Sequence, residues 1–155
     1  MTMLPLVVFL PLVAGVVSFA IPPRADRFRE AATVIVAAVT FLISIGLLFQ
    51  LGQDSVASMP LGFLPGYLID LRLDVLNRFL VLFASLFGLL VAVYSIGYMR
   101  GRSRLREYYP YLLITIGAAN GALVANNWLL LLGFWGLVLV TMFLLATIGS
   151  VDASP

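Results

Sequence analysis

The chain encodes an all-α, polytopic membrane protein of about five transmembrane helices, with the N-terminus outside and the C-terminus cytoplasmic. Composition, segment length and the placement of arginine lead to this expectation. Of 155 residues, 63% are hydrophobic and 10% charged, against about 45–50% and about 25% in soluble domains; mean hydropathy is +1.12. A soluble fold of this size buries only about 70% of its unfolded surface, too little to hide so much apolar area. That excludes a soluble enzyme, a disordered linker and a nucleic-acid module. Five stretches reach the roughly 20 apolar residues needed to cross a hydrocarbon core about 30 Å thick. All nine basic residues are arginine, and seven of them fall in two connections. Both connections follow odd-numbered spans, so both lie on one side, the cytoplasm by the positive-inside rule.

The first span, 3–21, stops at Pro22-Pro23. Nothing basic precedes its apolar run, so it reads as a retained helix rather than a secretory signal. The connection that follows carries Arg24, Arg27 and Arg29. The second span is 31–52. The outer loop, 53–74, holds Pro60, Gly62, Pro65 and Gly66, and its LIDLRL run partly alternates apolar and polar residues, the pattern of a short strand or hairpin. The third span, 75–99, opens with Asp74 and Arg78, which lie four apart on one face. The pair reads as an interfacial anchor with the arginine snorkelling; a gate at a polar opening is the alternative. The next connection carries Arg100, Arg102, Arg104 and Arg106. These arginines set topology, with anionic lipid or partner-protein binding as the functional alternative. The fourth span, 109–125, and the fifth, 128–149, are separated by Asn126-Asn127 and form a tight antiparallel pair. Residues 1–155 read as a single membrane domain.

Few side chains could carry chemistry. Cys, His and Lys are absent, which removes disulfides, thiolate metal sites, haem ligation and the Ser-His-Asp triad. No cofactor or metal is expected, and no activity as an enzyme alone. Apart from Arg78, the spans hold no charged side chain. Asn120 sits in the fourth, inside the GxxxG pattern Gly117-Ala-Ala-Asn-Gly121, which allows close approach of another helix. Gly117, Asn120 and Gly121 are therefore expected to pack helices and to contact a partner, with a water-lined path through Asn120 as the alternative. Ser85 and Gly88 make a similar small-residue notch. Thr115, Thr141 and Thr147 can bond carbonyls of their own helices. Tyr94, Tyr98, Tyr108, Tyr109 and Tyr111 form an aromatic belt around the inner loop.

The stretch Ala125-Asn-Asn-Trp-Leu-Leu-Leu-Leu-Gly-Phe-Trp135-Gly136 resembles a motif of the antiporter-like membrane subunits found in respiratory complex I, Mrp-type cation/proton antiporters and membrane-bound hydrogenases. That motif reads roughly A-[DN]-N-L-x-x-x-[YF]-x-x-W-E. Asn127 and Trp135 fall on its Asn and Trp. Leu71-Arg-Leu-Asp74 resembles the family's L-x-[LV]-D, and Tyr94-Ser-Ile-Gly-Tyr-Met99 resembles its Y-S-x-x-Y-M segment. The similarity spans essentially the whole chain, aligned to the family's first five helices.

The resemblance implies a protonatable glutamate directly after the Trp, and Gly136 stands there instead. The lysine that normally pairs with that glutamate would lie on a later helix, and the family's midplane pathway needs paired inverted repeats. The expectation is therefore a truncated or split relative that keeps the family's packing and lacks its proton relay. Its first expected role is an accessory or scaffold subunit of a larger bioenergetic complex, contacting other integral membrane subunits and lipids but no nucleic acid. The second is half of a split proton- or cation-translocating subunit. The third is an anchor in another assembly, for inorganic-carbon uptake or photosynthesis. A prokaryotic inner membrane is the expected location.

Overall fold

The computed structural model describes residues 3–22, 25–49, 55–60, 68–99 and 104–151. Five helices and a β-hairpin follow in the order α1 (Leu4–Ser18), α2 (Asp26–Phe49), β1 (Ser55–Pro60), β2 (Leu68–Leu73), α3 (Val75–Tyr98), α4 (Leu105–Val124) and α5 (Trp128–Val151). By length and composition, α2, α3 and α5 can each cross a membrane, and α1 is a shorter apolar helix. At 1.5 Å per residue, the 15 residues of α1 span about 22 Å. The chain is a multi-pass membrane protein.

The sequence places the helices in the right order, but two of them start early. Residue 31 was expected to open α2, which begins at Asp26; residue 109 was expected to open α4, which begins at Leu105. Charged residues are excluded from hydrocarbon, not from helix. Asp26 sits in the first turn of α2, where a negative charge opposes the helix dipole favourably. Glu107 does the same for α4, which runs on through Pro110, a residue that ordinarily starts a helix rather than sitting inside one. The first helix ends sooner than residue 21. Ala20 N donates to Val17 O and Ile21 N to Ser18 O, so its last residues form tightened turns.

Helix α4 is the hub. Its buried residues include Tyr109, Leu113, Ala118, Asn120 and Val124, and it packs against α1, α2, α3 and α5. One apolar cluster joins Leu4, Val7 and Val8 of α1 to Leu47, Val81, Val124 and the inward residues Leu71 and Leu73 of β2. A second joins Ala37, Ala92, Leu112 and Ile116. The expected hairpin forms: β1 and β2 pair antiparallel, from Ser55 opposite Leu73 to Pro60 opposite Leu68. It also closes the α4–α5 turn, since Leu71 bridges Ala125 and Asn126 N donates to Asp70 O at 2.9 Å. The hairpin and this turn mark one end of the bundle. The opposite end, where Tyr109 of α4 meets Glu30 of α2, carries the described arginines of both basic connections and is called the arginine end below.

Candidate functional site

Four glycines on α4 and its neighbours decide how closely the helices approach. A Cβ on Gly117 would lie 2.7 Å from Leu12 Cγ and 2.9 Å from both Leu12 N and Val8 O. Gly117 is thus where the backbone of α1 crosses α4. A Cβ on Gly15 would meet Ile114 and Pro110 O across the same crossing, one on Gly88 would meet Ile116, and one on Gly121 would meet the Phe134 ring at 2.7 Å. The expected partner face of Gly117 and Gly121 is therefore filled by α1 and α5 of the same chain. The GxxxG pattern correctly signals close approach, but the approaching helices are internal.

That approach buries Asn120 completely. Its amide Nδ2 donates to Val7 O at 3.3 Å and to Ser85 Oγ at 3.2 Å. One side chain thereby joins α1, α3 and α4. In an apolar interior, an amide without such partners would be costly, so this bridge specifies one packing arrangement. Ser85 was expected only to form a notch with Gly88; its pairing with Asn120 was not legible, because nothing in the sequence links positions 35 residues apart. Between α4 and α5, the Thr115 and Thr141 hydroxyls lie 2.8 Å apart. Thr141 also contacts Leu137 O at 2.9 Å, and Thr147 donates to Leu144 O, as expected of hydroxyls in apolar helices.

Two residues of the resembled motifs, Asp74 and Asn127, occupy structural posts at the hairpin end. Asp74 is the N-cap of α3 and accepts from Asn77 N at 2.9 Å. Asn127 does the same for α5, accepting from Leu130 N at 2.7 Å. Each satisfies one of the unpaired N–H groups that begin a helix. Arg78 corrects the snorkelling expectation: it is 3% exposed, held inside the bundle rather than at a lipid interface. Farther along α5, Trp135 is 57% exposed, and a Cβ on Gly136 would meet nothing within 4 Å. The position of the expected glutamate thus lies on an open side of the helix.

At the arginine end the expectations divide. Arg24, Arg100 and Arg102 lie outside the described residues. Arg27 and Arg106 are exposed, and Arg104 pairs with Glu107 at the start of α4. Arg29 does not fit: it is fully buried, so it reaches no lipid headgroup. Its guanidinium pairs with Asp26 at 2.6 Å and donates to Ile21 O at 2.8 Å. Arg29 closes the end of α1, where carbonyls have no helical partner. The i, i+3 spacing of Asp26 and Arg29 was a usable signal for a helix here, but not for burial. Beside it, Tyr109 Oη donates to Glu30 Oε1 at 3.3 Å. Phe19 packs edge-on against Tyr111, and Tyr94 stacks on Tyr98.

No cluster of metal-ligating side chains occurs among the described residues.

Comparison with known proteins identifies this architecture. Residues 67–109 match the family model described as NADH-ubiquinone oxidoreductase (complex I), chain 5 N-terminus. The chain is 38% identical over 112 residues to the putative antiporter subunit mnhA2 of Staphylococcus saprophyticus, covering 72% of this chain and 14% of that protein. It is 34% identical over 109 residues to Na(+)/H(+) antiporter subunit A1 of Staphylococcus aureus, covering 69% of this chain and 14% of the relative. The fold matches a chain of the membrane-bound sulfane sulfur reductase, an archaeal respiratory membrane complex, with a TM-score of 0.76 at 20% identity over 90% of this chain and 22% of that one. The chain thus spans about one seventh of the length of these curated relatives. It belongs to the antiporter-like subunit family shared by complex I and the Mrp antiporters.

Proposed function

We propose that this chain is an accessory, scaffolding module of a larger bioenergetic membrane complex, derived from a proton-translocating antiporter-like subunit and not conducting ions itself. The observation that carries the reading is Gly136. It stands directly after Trp135, where the resembled motif has its glutamate, and α5 has no ionisable side chain along its length. A proton relay through a membrane helix needs such a group. The polar side chains in the middle of the bundle support the same reading, since Asn120 and Ser85 are engaged with each other and with α1. Their role is to hold α1, α3 and α4 in register. The module is no enzyme by itself; its surface, α5 above all, meets other integral membrane subunits and lipid.

The test is purification from native membranes in mild detergent, followed by mass spectrometry of whatever stays bound. Recovery within a complex that already holds intact antiporter-like subunits supports the scaffold. Recovery with a partner that supplies later antiporter helices and a membrane lysine overturns it in favour of a second reading, half of a split translocating subunit. The open space at Gly136 favours that second reading, because a partner's carboxylate could enter there. Gly136→Glu separates the two: altered ion flux supports translocation, and unchanged flux supports the scaffold.

A further inference from the structure

The arginine end contains an unmet pair of polar groups that the scaffold does not use. Arg29 and Thr33 are both fully buried, one helical turn apart on the inward face of α2. The two outer nitrogens of the Arg29 guanidinium are engaged: Nη1 with Asp26 at 2.6 Å, Nη2 with Ile21 O at 2.8 Å and Pro22 O at 3.4 Å. Among the described residues, its Nε and the Thr33 Oγ1 have no hydrogen-bond partner. Thr33 also departs from the hydroxyls farther along the same buried face. Thr40 donates to Val36 O at 2.8 Å and Ser44 to Phe41 O at 2.7 Å, each satisfied by its own helix. Buried polar groups in native proteins are paired with protein or with ordered water.

We infer that one buried water molecule sits between Arg29 Nε and Thr33 Oγ1, accepting from the guanidinium N–H and sharing a hydrogen bond with the threonine hydroxyl. The charge balance selects water over an ion. Asp26 already neutralises Arg29, so an anion would add an uncompensated charge inside the bundle. A cation would face the guanidinium. Water offers the acceptor that Nε requires and adapts to a hydroxyl as donor or acceptor. The site ties the end of α1, through Arg29, to the buried face of α2. It concerns packing at the arginine end and is independent of what happens at Gly136.

The experiment is electron cryo-microscopy of the intact complex at water-resolving resolution, in chloride and in chloride-free gluconate buffer. It includes Thr33→Ser, which keeps the hydroxyl, and Thr33→Val, which removes it at nearly constant shape. The expected result is a density peak about 3 Å from both atoms, unchanged without chloride, kept in Thr33→Ser and lost in Thr33→Val. A peak that disappears with chloride overturns the inference, because the ligand is then an anion. So does a Thr33 hydroxyl turned onto its own Arg29 carbonyl with no peak. A peak that persists in Thr33→Val overturns it too, since Thr33 is then no partner.

Discussion

Gly117→Ala adds a single methyl group where the structure has no room for one. The new Cβ would stand 2.9 Å from Val8 O and Leu12 N and 2.7 Å from Leu12 Cγ. The side-chain atom can rotate away, but the two backbone atoms move only if the helices do. Restoring an ordinary contact of 3.4 Å from 2.9 Å requires about 0.5 Å of separation between α1 and α4. That separation also stretches the Asn120–Val7 bond, already 3.3 Å long. Overpacking of this kind costs about 1–3 kcal/mol, and a clash with backbone puts Gly117→Ala toward the upper part of that range. Gly136→Ala is the control, because its Cβ meets nothing within 4 Å. Thermal unfolding in one detergent, followed by tryptophan fluorescence, should show a clear loss for Gly117→Ala and little change for Gly136→Ala. Equal melting behaviour in the two variants would refute the internal α1–α4 crossing. A variant that melts normally but leaves its complex would show that Gly117 faces a partner instead.

Asn127→Ala removes the cap of α5 and should cost about 1 kcal/mol, read by the same melt, with Asn127→Asp retaining most of the stability. Asn120→Leu breaks the bridge between α1, α3 and α4; hydrogen bonds between membrane helices are worth about 0.6–2 kcal/mol, and a loss below the error of the melt would show that the bridge does not hold the bundle. Arg29→Gln should cost about 1–3 kcal/mol, chiefly from weakening the charged bond to the Ile21 carbonyl. Asp26 is 46% exposed, so water solvates it and the larger penalty for stranding a buried charge does not apply. Arg29→Lys should recover only part of this, since an ammonium is a point charge on a flexible stem and lacks the rigid planar fork that reaches Asp26 and the Ile21 carbonyl together. Gly136→Glu should leave ion flux unchanged in reconstituted complexes, and a changed flux would count against the scaffold.

Much of the fold was legible because membrane spans are written in long apolar runs. The third and fifth helices begin within a residue of the expected positions, and the Asn126-Asn127 turn was plain from its length. The early starts of α2 and α4 were not, because a hydrocarbon boundary is not a helix boundary. Arg29 shows the same limit from another side: its neighbours look like a basic loop, and only the fold reveals that it turns inward to close α1. At the site, Gly117 and Gly121 announced a close helix crossing but not whose helix would cross. Asp74 and Asn127 stood out through a resemblance, and the structure supplies a local reason for each, a helix cap. The pairing of Asn120 with Ser85 required knowing that α3 and α4 meet at that level, which periodicity within one helix does not encode.

The helices differ most in how much of themselves they hide. About 28% of the apolar window is buried in α2 and α3, but only 6% in α5, although α5 is among the most apolar elements. It touches the bundle through Phe134 against Gly121 and Thr141 near Thr115, while Leu132, Trp135, Leu139 and Val140 face outward. In lipid this costs nothing, because an apolar face gains no hydrophobic stabilisation from a protein neighbour there. A carboxylate in the same place is different: facing lipid at mid-helix it would cost roughly 2.5–3.5 kcal/mol. Gly136 avoids that cost, and its empty surroundings leave the backbone open to close approach by another helix. A glycine at this position thus fits this face either for bare lipid or for tight packing against a neighbour. That is the physical connection between a glycine at this position and the scaffolding role proposed above.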